Sequence, residues 1–120
     1  MKEIEKMEVA IIGAGFAGIG AAIKLKEAGI EAIKIFERKK ELGGTWRDNT
    51  YPGCACDIPS FLYSYSFEPN PEWSESFSSH NEILAYLNKC ATKYDLYKYI
   101  QFETAIVSAN FKEHKGYWEI

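Results

Sequence analysis

Residues 9–18 read Val-Ala-Ile-Ile-Gly-Ala-Gly-Phe-Ala-Gly, so a short apolar run passes straight into Gly13-x-Gly15-x-x-Gly18. A second apolar run, Ala32 to Phe36, ends in the acidic Glu37. An acid about twenty residues after a glycine turn is the spacing of a dinucleotide-binding fingerprint. Each part has its own physical task. Gly13 permits the tight turn out of the first strand, Gly15 leaves room for a pyrophosphate, and Gly18 lets the helix pack closely on the strand. The helix that starts here turns its free N–H groups and positive dipole end toward the phosphates. Glu37 is placed to accept hydrogen bonds from a ribose diol.

The flanking pattern agrees. Val9 to Ile12 suits a buried parallel strand. Phe16 to Ala28 suits a helix, with Ile19, Ala22, Ile23 and Leu25 on one face and Lys24, Lys26 and Glu27 on the other. Gly29 is a natural stop, and Ala32 to Phe36 reads as the second strand. A glycine turn in an unrelated α/β domain would explain the turn. It would not explain an acid at the end of the second strand.

At 120 residues the chain holds one domain at most. Its 47% hydrophobic and 26% charged content fits a folded protein rather than a disordered one. A net charge of −3 without a basic stripe gives no footprint for nucleic acid. The apolar stretch from Val9 to Ile23 is interrupted by glycines, follows acidic residues and falls short of the ~20 residues of a membrane span. A cytoplasmic protein is expected. The three cysteines do not form a redox or zinc pair, because Cys54-Ala55-Cys56 lacks the two-residue gap. With only His80 and His114 as imidazoles, no metal site is expected.

From 39 to 79 the pattern becomes irregular, rich in aromatics, and carries all four prolines. So long an irregular stretch inside a compact domain reads as a functional segment laid over a ligand. It opens on a second glycine turn, Gly43-Gly44-Thr45-Trp46, close enough behind Glu37 to return to the same cofactor.

Here the sequence resembles a known family. Gly13-Ala-Gly15-Phe-Ala-Gly18, Glu37, Gly43-Gly44-Thr45-Trp46 and the run Tyr51-Pro52-Gly53-Cys54-Ala55-Cys56-Asp57 resemble the N-terminal FAD-binding part of class B flavin monooxygenases. The likeness is to the Baeyer–Villiger branch. It covers essentially the whole chain but only about the first quarter of a typical member. It implies an α/β, Rossmann-like FAD-binding domain with a parallel sheet, helices and an antiparallel β-meander, incomplete over residues 1–120. In that family FAD reduced by NADPH activates O2 to insert oxygen next to a ketone carbonyl.

The resemblance implies cofactor contacts from Gly13, Gly15, Phe16, Ala17, Gly18, Glu37, Arg38, Gly44, Thr45, Trp46, Asp48, Tyr51, Asp57 and Tyr63. Asp57 is also implied as the catalytic residue, beside the flavin and near an arginine of a downstream nicotinamide domain. Read from the residues alone, Asp57 is rather an N-cap or turn residue before Ile58-Pro59-Ser60, and Arg47 with Asp48 a solvated pair. Trp46, Tyr51, Phe61, Tyr63, Tyr65 and Phe67 offer an aromatic surface to a flavin, or pin the segment to the core.

Ser79-x-x-Glu82 has the form of a capping box, followed by a core-facing helix through Ile83, Leu87, Cys90 and Tyr94. Tyr99 to Phe102 reads as a third parallel strand. Thr104 to Phe111 alternates as a strand, and Tyr117 to Ile120 begins another after a turn. The second nucleotide fingerprint of the family lies beyond this sequence, so a fragment or truncated product is expected, with no turnover alone. NADPH belongs to a full-length enzyme. The sheet edge at Thr104 to Ile120 is expected to be unpaired and to invite self-association. The alternatives are a stand-alone, non-catalytic dinucleotide-binding module and an NAD-dependent reductase. The second glycine turn argues against the reductase.

Overall fold

The computed structural model describes residues 4–71 and 73–120, with the side chain of Phe61 outside that description. Strand β1 (Val9–Ile12) pairs in parallel with β2 (Ile33–Phe36), Ile11 facing Ile35. Strand β3 (Ile100–Gln101) joins the other side of β2, giving the order β1-β2-β3. A parallel pair needs a crossover, and helix α1 (Phe16–Glu27) supplies it. The apolar stripe expected from the sequence is the one that packs, with Ile19, Ala22 and Ile23 buried. The helix ends at the glycine stop, where the Gly29 N–H donates to the Lys26 carbonyl. The expected strands and helix stand within a residue of their expected limits, apart from a shorter β3.

Helix α1 also packs on α3 (His80–Lys93), whose buried Ile83, Tyr86, Leu87, Cys90 and Ala91 complete the core. The expected capping box at its start does not form. Ser79 caps with its backbone alone. The Glu82 carboxylate instead accepts the Ser74 N–H at 2.7 Å and the Ser74 hydroxyl at 2.8 Å. A charge-assisted pair to a neighbouring loop wins over the local cap.

The tail departs further. Only β4 (Asn110–Lys112) and β5 (Tyr117–Glu119) form, as an antiparallel hairpin. The alternating stretch from Thr104 to Ala109 is not a strand, and Val107 is 94% exposed. Alternation makes a strand only beside a partner, and no strand flanks this stretch among the described residues.

The irregular segment is held by long-range bonds rather than by periodicity. It contains a one-turn helix, α2 (Thr45–Asp48), and a 3-10 turn at Ser60–Leu62. Its outgoing and returning arms are stitched together. The Cys56 N–H donates to the Ser78 carbonyl, the Ser60 N–H to the Ser76 carbonyl, and the His80 N–H to the Cys54 carbonyl. Buried Ser60 Oγ accepts the Ser78 N–H and hydroxyl, both at 2.7 Å. Two tyrosines then bolt the segment to the helices. The Tyr65 hydroxyl donates to the Phe16 carbonyl of α1, and the Tyr65 N–H donates to the Tyr86 hydroxyl of α3. Burial pushes the phenols of Tyr65 and Tyr86 well up, so both stay neutral donors.

Close backbone approach fixes the entry to α1. A methyl on Gly18 would lie 2.0 Å from the Gly13 carbonyl oxygen. Gly18→Ala should therefore destabilise the domain by about 3 kcal/mol, the upper end for overpacking. Gly20→Ala should cost less, since its methyl would meet a side chain, the Tyr65 ring at 2.7 Å, rather than backbone. Urea unfolding of both variants checks the order; equal losses would contradict the close helix–turn contact.

Candidate functional site

The two glycine turns lie against each other. The Gly43 N–H donates to the Ala14 carbonyl at 2.9 Å. A methyl on Gly44 would stand 3.2 Å from the Gly15 Cα. That contact is with backbone, so it disfavours a side chain at Gly44, whereas a methyl on Gly15 would meet the Gly44 Cα at an ordinary 3.7 Å. Gly44 itself has φ +55, in the left-handed region that glycine adopts without strain.

A cleft of about 390 Å3 opens where the turns meet, within the usual range of small-molecule sites. Its wall on the α1 side comes from Gly13, Gly15, Phe16, Ala17 and Gly18, and on the α2 side from Gly44, Thr45 and Trp46, with Tyr63 between. All nine were expected from the sequence. Ile12 and Gly43 also line it. Ile12 ends β1 next to the first turn, and Gly43 was visible as part of the second. At the base, the first bond within α1 runs from the Ile19 N–H to the Gly15 carbonyl at 3.0 Å. The N–H groups before Ile19 therefore have no acceptor within the helix, and Phe16, Ala17 and Gly18, which carry them, line the cleft.

The aromatic wall is ordered. The Trp46 indole N–H donates to the Tyr63 hydroxyl at 3.0 Å. The Phe16 and Tyr63 rings meet edge-on at 5.0 Å. Burial pushes the Tyr63 phenol up, partly offset by the indole donor. Its hydroxyl thus accepts from Trp46 and keeps its own proton to donate. Tyr65 and Phe67 stack on each other at 5.0 Å and belong to the core side.

Glu37 sits behind the turn, 4% exposed. One carboxylate oxygen accepts the Ala14 N–H at 3.1 Å and the other the Lys39 N–H at 2.8 Å. A carboxylate has about four acceptor positions, so unused lone pairs remain for a ribose hydroxyl. That Glu37 also ties its own strand to the glycine turn has no local signal in the sequence.

The remaining expected residues stand outside the cleft wall. Arg38 is exposed. Asp48 is held by Arg47, whose Nε and Nη2 donate to one carboxylate oxygen at 2.9 and 2.8 Å. Tyr51 is 62% exposed, beside the Cys54 thiol, which raises its pKa. Asp57 is exposed and does not cap the 3-10 turn that follows; its charge helps raise the Tyr63 phenol. Among the described residues no group of His, Cys, Asp and Glu could hold a metal. Nor is any helix among them long and apolar enough to cross a membrane.

Comparison with known proteins places this arrangement. A Baeyer–Villiger monooxygenase of Streptomyces coelicolor is 47% identical over 116 residues, which is 97% of this chain and 22% of the relative. The structure of an oxidized steroid monooxygenase bound to NADP superposes with a TM-score of 0.88 at 39% identity, over 93% of this chain and 22% of that one. An FAD-bound structure of OTEMO matches with a TM-score of 0.88 at 36% identity, over 98% of this chain and 22% of that one. The chain thus spans little more than a fifth of these relatives. The family model for flavin-binding monooxygenase-like proteins matches residues 6–120, and the chain belongs to that family.

Proposed function

We propose that the chain is the FAD-binding portion of an NADPH-dependent flavin monooxygenase of the Baeyer–Villiger type, acting on ketones in the full-length enzyme. The observation that carries this reading is the meeting of both glycine turns and Glu37 around one residue, Ala14. The residues fit the cofactor. The glycine faces leave room for a pyrophosphate, the start of α1 offers donors to it, and Glu37 has acceptor capacity for the adenosine ribose. Phe16, Trp46 and Tyr63 offer rings and one phenol proton along the path away from the ribose.

When bound, FAD supplies the redox chemistry that activates oxygen. The chain's own part is to bind and orient it. The segment 39–79 lies along the cofactor through Gly44, Trp46 and Tyr63. Asp57 follows that segment's Pro52-Gly53 turn, exposed and electrostatically in reach of Tyr63. We assign it to the reactive edge of the flavin, where a carboxylate pairs with a cation from a downstream domain. The three unpaired thiols fit a reducing compartment such as the cytoplasm.

Titration of the apoprotein tests the reading. FAD should bind, ADP should displace it, and FMN, which lacks the adenosine, should compete weakly, since recognition rests on the adenosine end. Displacement by FMN but not ADP would overturn it, and a preference for NADH would favour a different dinucleotide module. Asp57→Ala should change neither stability, beyond about 0.5 kcal/mol for an exposed site, nor FAD affinity. In a full-length enzyme the same change should lower oxygen insertion at least tenfold, an effect of about 1.4 kcal/mol on the barrier, with FAD retained. Loss of folding stability in both contexts would make Asp57 a structural turn residue.

A further inference from the structure

The Arg47 side chain is only 14% exposed, so the solvated pair read from the sequence is half of its role. Its guanidinium spreads over three acceptors on two elements. Nε and Nη2 hold Asp48 on its own helix. Nη1 donates to the Glu41 carbonyl, and the same nitrogen stands 3.6 Å from Glu37 Oε2. Behind it, the Arg47 Cβ packs on Gly43, where an added methyl would sit 3.0 Å away. Arg47 therefore joins the acid at the end of β2 to the second glycine turn.

We propose that Arg47 is the positioning residue that aims the Glu37 carboxylate at the adenosine ribose, and so sets the site's preference for a ribose over a deoxyribose. The inference rests on the FAD reading above. The physical reason is a buried charge. Glu37 is nearly closed off from water, and a buried carboxylate without a counter-charge is costly. Its two backbone donors fix one edge of each oxygen, and Arg47 supplies the only cation within ion-pair distance among the described residues. A planar fork reaches Glu37, Asp48 and the Glu41 carbonyl together, which a lysine ammonium cannot do. With the charge compensated and the carboxylate plane held, the unused lone pairs keep one direction. A neutral hydroxyl placed there gains a charge-assisted bond, and a deoxy position leaves that acceptor without a partner.

The test compares ADP with 2′-deoxy-ADP by calorimetric titration of the apoprotein. The parent chain should prefer ADP about tenfold or more, as one hydrogen bond to a charged group implies. Arg47→Met should collapse that ratio to about twofold or less, by the same arithmetic, and Arg47→Lys should not restore it. In the Glu37→Gln background, Arg47→Met should change the ratio no further. A merely structural Arg47 would weaken both nucleotides equally and leave the ratio intact, and that result would overturn the proposal. Should Arg47→Met not fold, Arg47→Lys carries the comparison: a retained tenfold ratio overturns the proposal and a collapsed one supports it. A parent chain that binds neither FAD nor ADP would sink the FAD reading itself. A parent chain that discriminates while Arg47→Met still does so would sink only this inference.

Discussion

One residue organises this domain. Ala14 is fully buried between two glycines, and both of its polar groups are committed to residues far along the chain. Its N–H donates to Glu37 at the end of β2, and its carbonyl accepts the Gly43 N–H of the second glycine turn. A buried amide group left unpaired costs about 1–3 kcal/mol, a large part of the stability of a small domain. The first turn, the acid and the second turn therefore form together. The cleft between them is a consequence of this bonding, since Gly15 and Gly44 are drawn into backbone contact.

The same constraint explains how a long irregular segment can be ordered. Leu42 is buried just before the second turn, which fixes where the segment leaves the core. The Ser60–Ser78 hydroxyl pair and the Tyr65 and Tyr86 phenols fix where it returns. Between these anchors Trp46 and Tyr63 meet at the cleft. The segment's polar backbone groups find partners within itself, so it needs no regular secondary structure to lie against α1 and α3. Asp57 and Tyr51 are exposed on this segment.

Local physics made much of this legible in the sequence. The runs at Val9–Ile12 and Ala32–Phe36, the stripe Ile19-Ala22-Ile23 and the glycine spacing all act over a few residues, and the elements stand within a residue of that reading. The nine cleft residues were legible because they belong to the two turns, apart from Tyr63. What could not be read depends on partners distant in sequence. Glu82 gave up its capping box for Ser74. Thr104 to Ala109 alternates but has no neighbouring strand. Glu37 looked like a ligand contact alone, although its carboxylate is also a structural acceptor for two backbone donors. Arg47 looked like a surface charge because nothing in its local pattern announces that Glu37 lies beside it.

The Ala14–Glu37–Gly43 unit is formed by the protein itself, before any cofactor binds. Hydrogen exchange of the ligand-free chain, followed by NMR at the amides of Ala14, Lys39 and Gly43, tests it directly. These three N–H groups donate to Glu37, Glu37 and Ala14 respectively. They should exchange at least about a hundredfold more slowly than in an unstructured chain, an opening free energy of about 2.7 kcal/mol, and FAD should change them little. Exchange at unstructured rates until FAD is added would show that the cofactor builds the unit, and would contradict the claim.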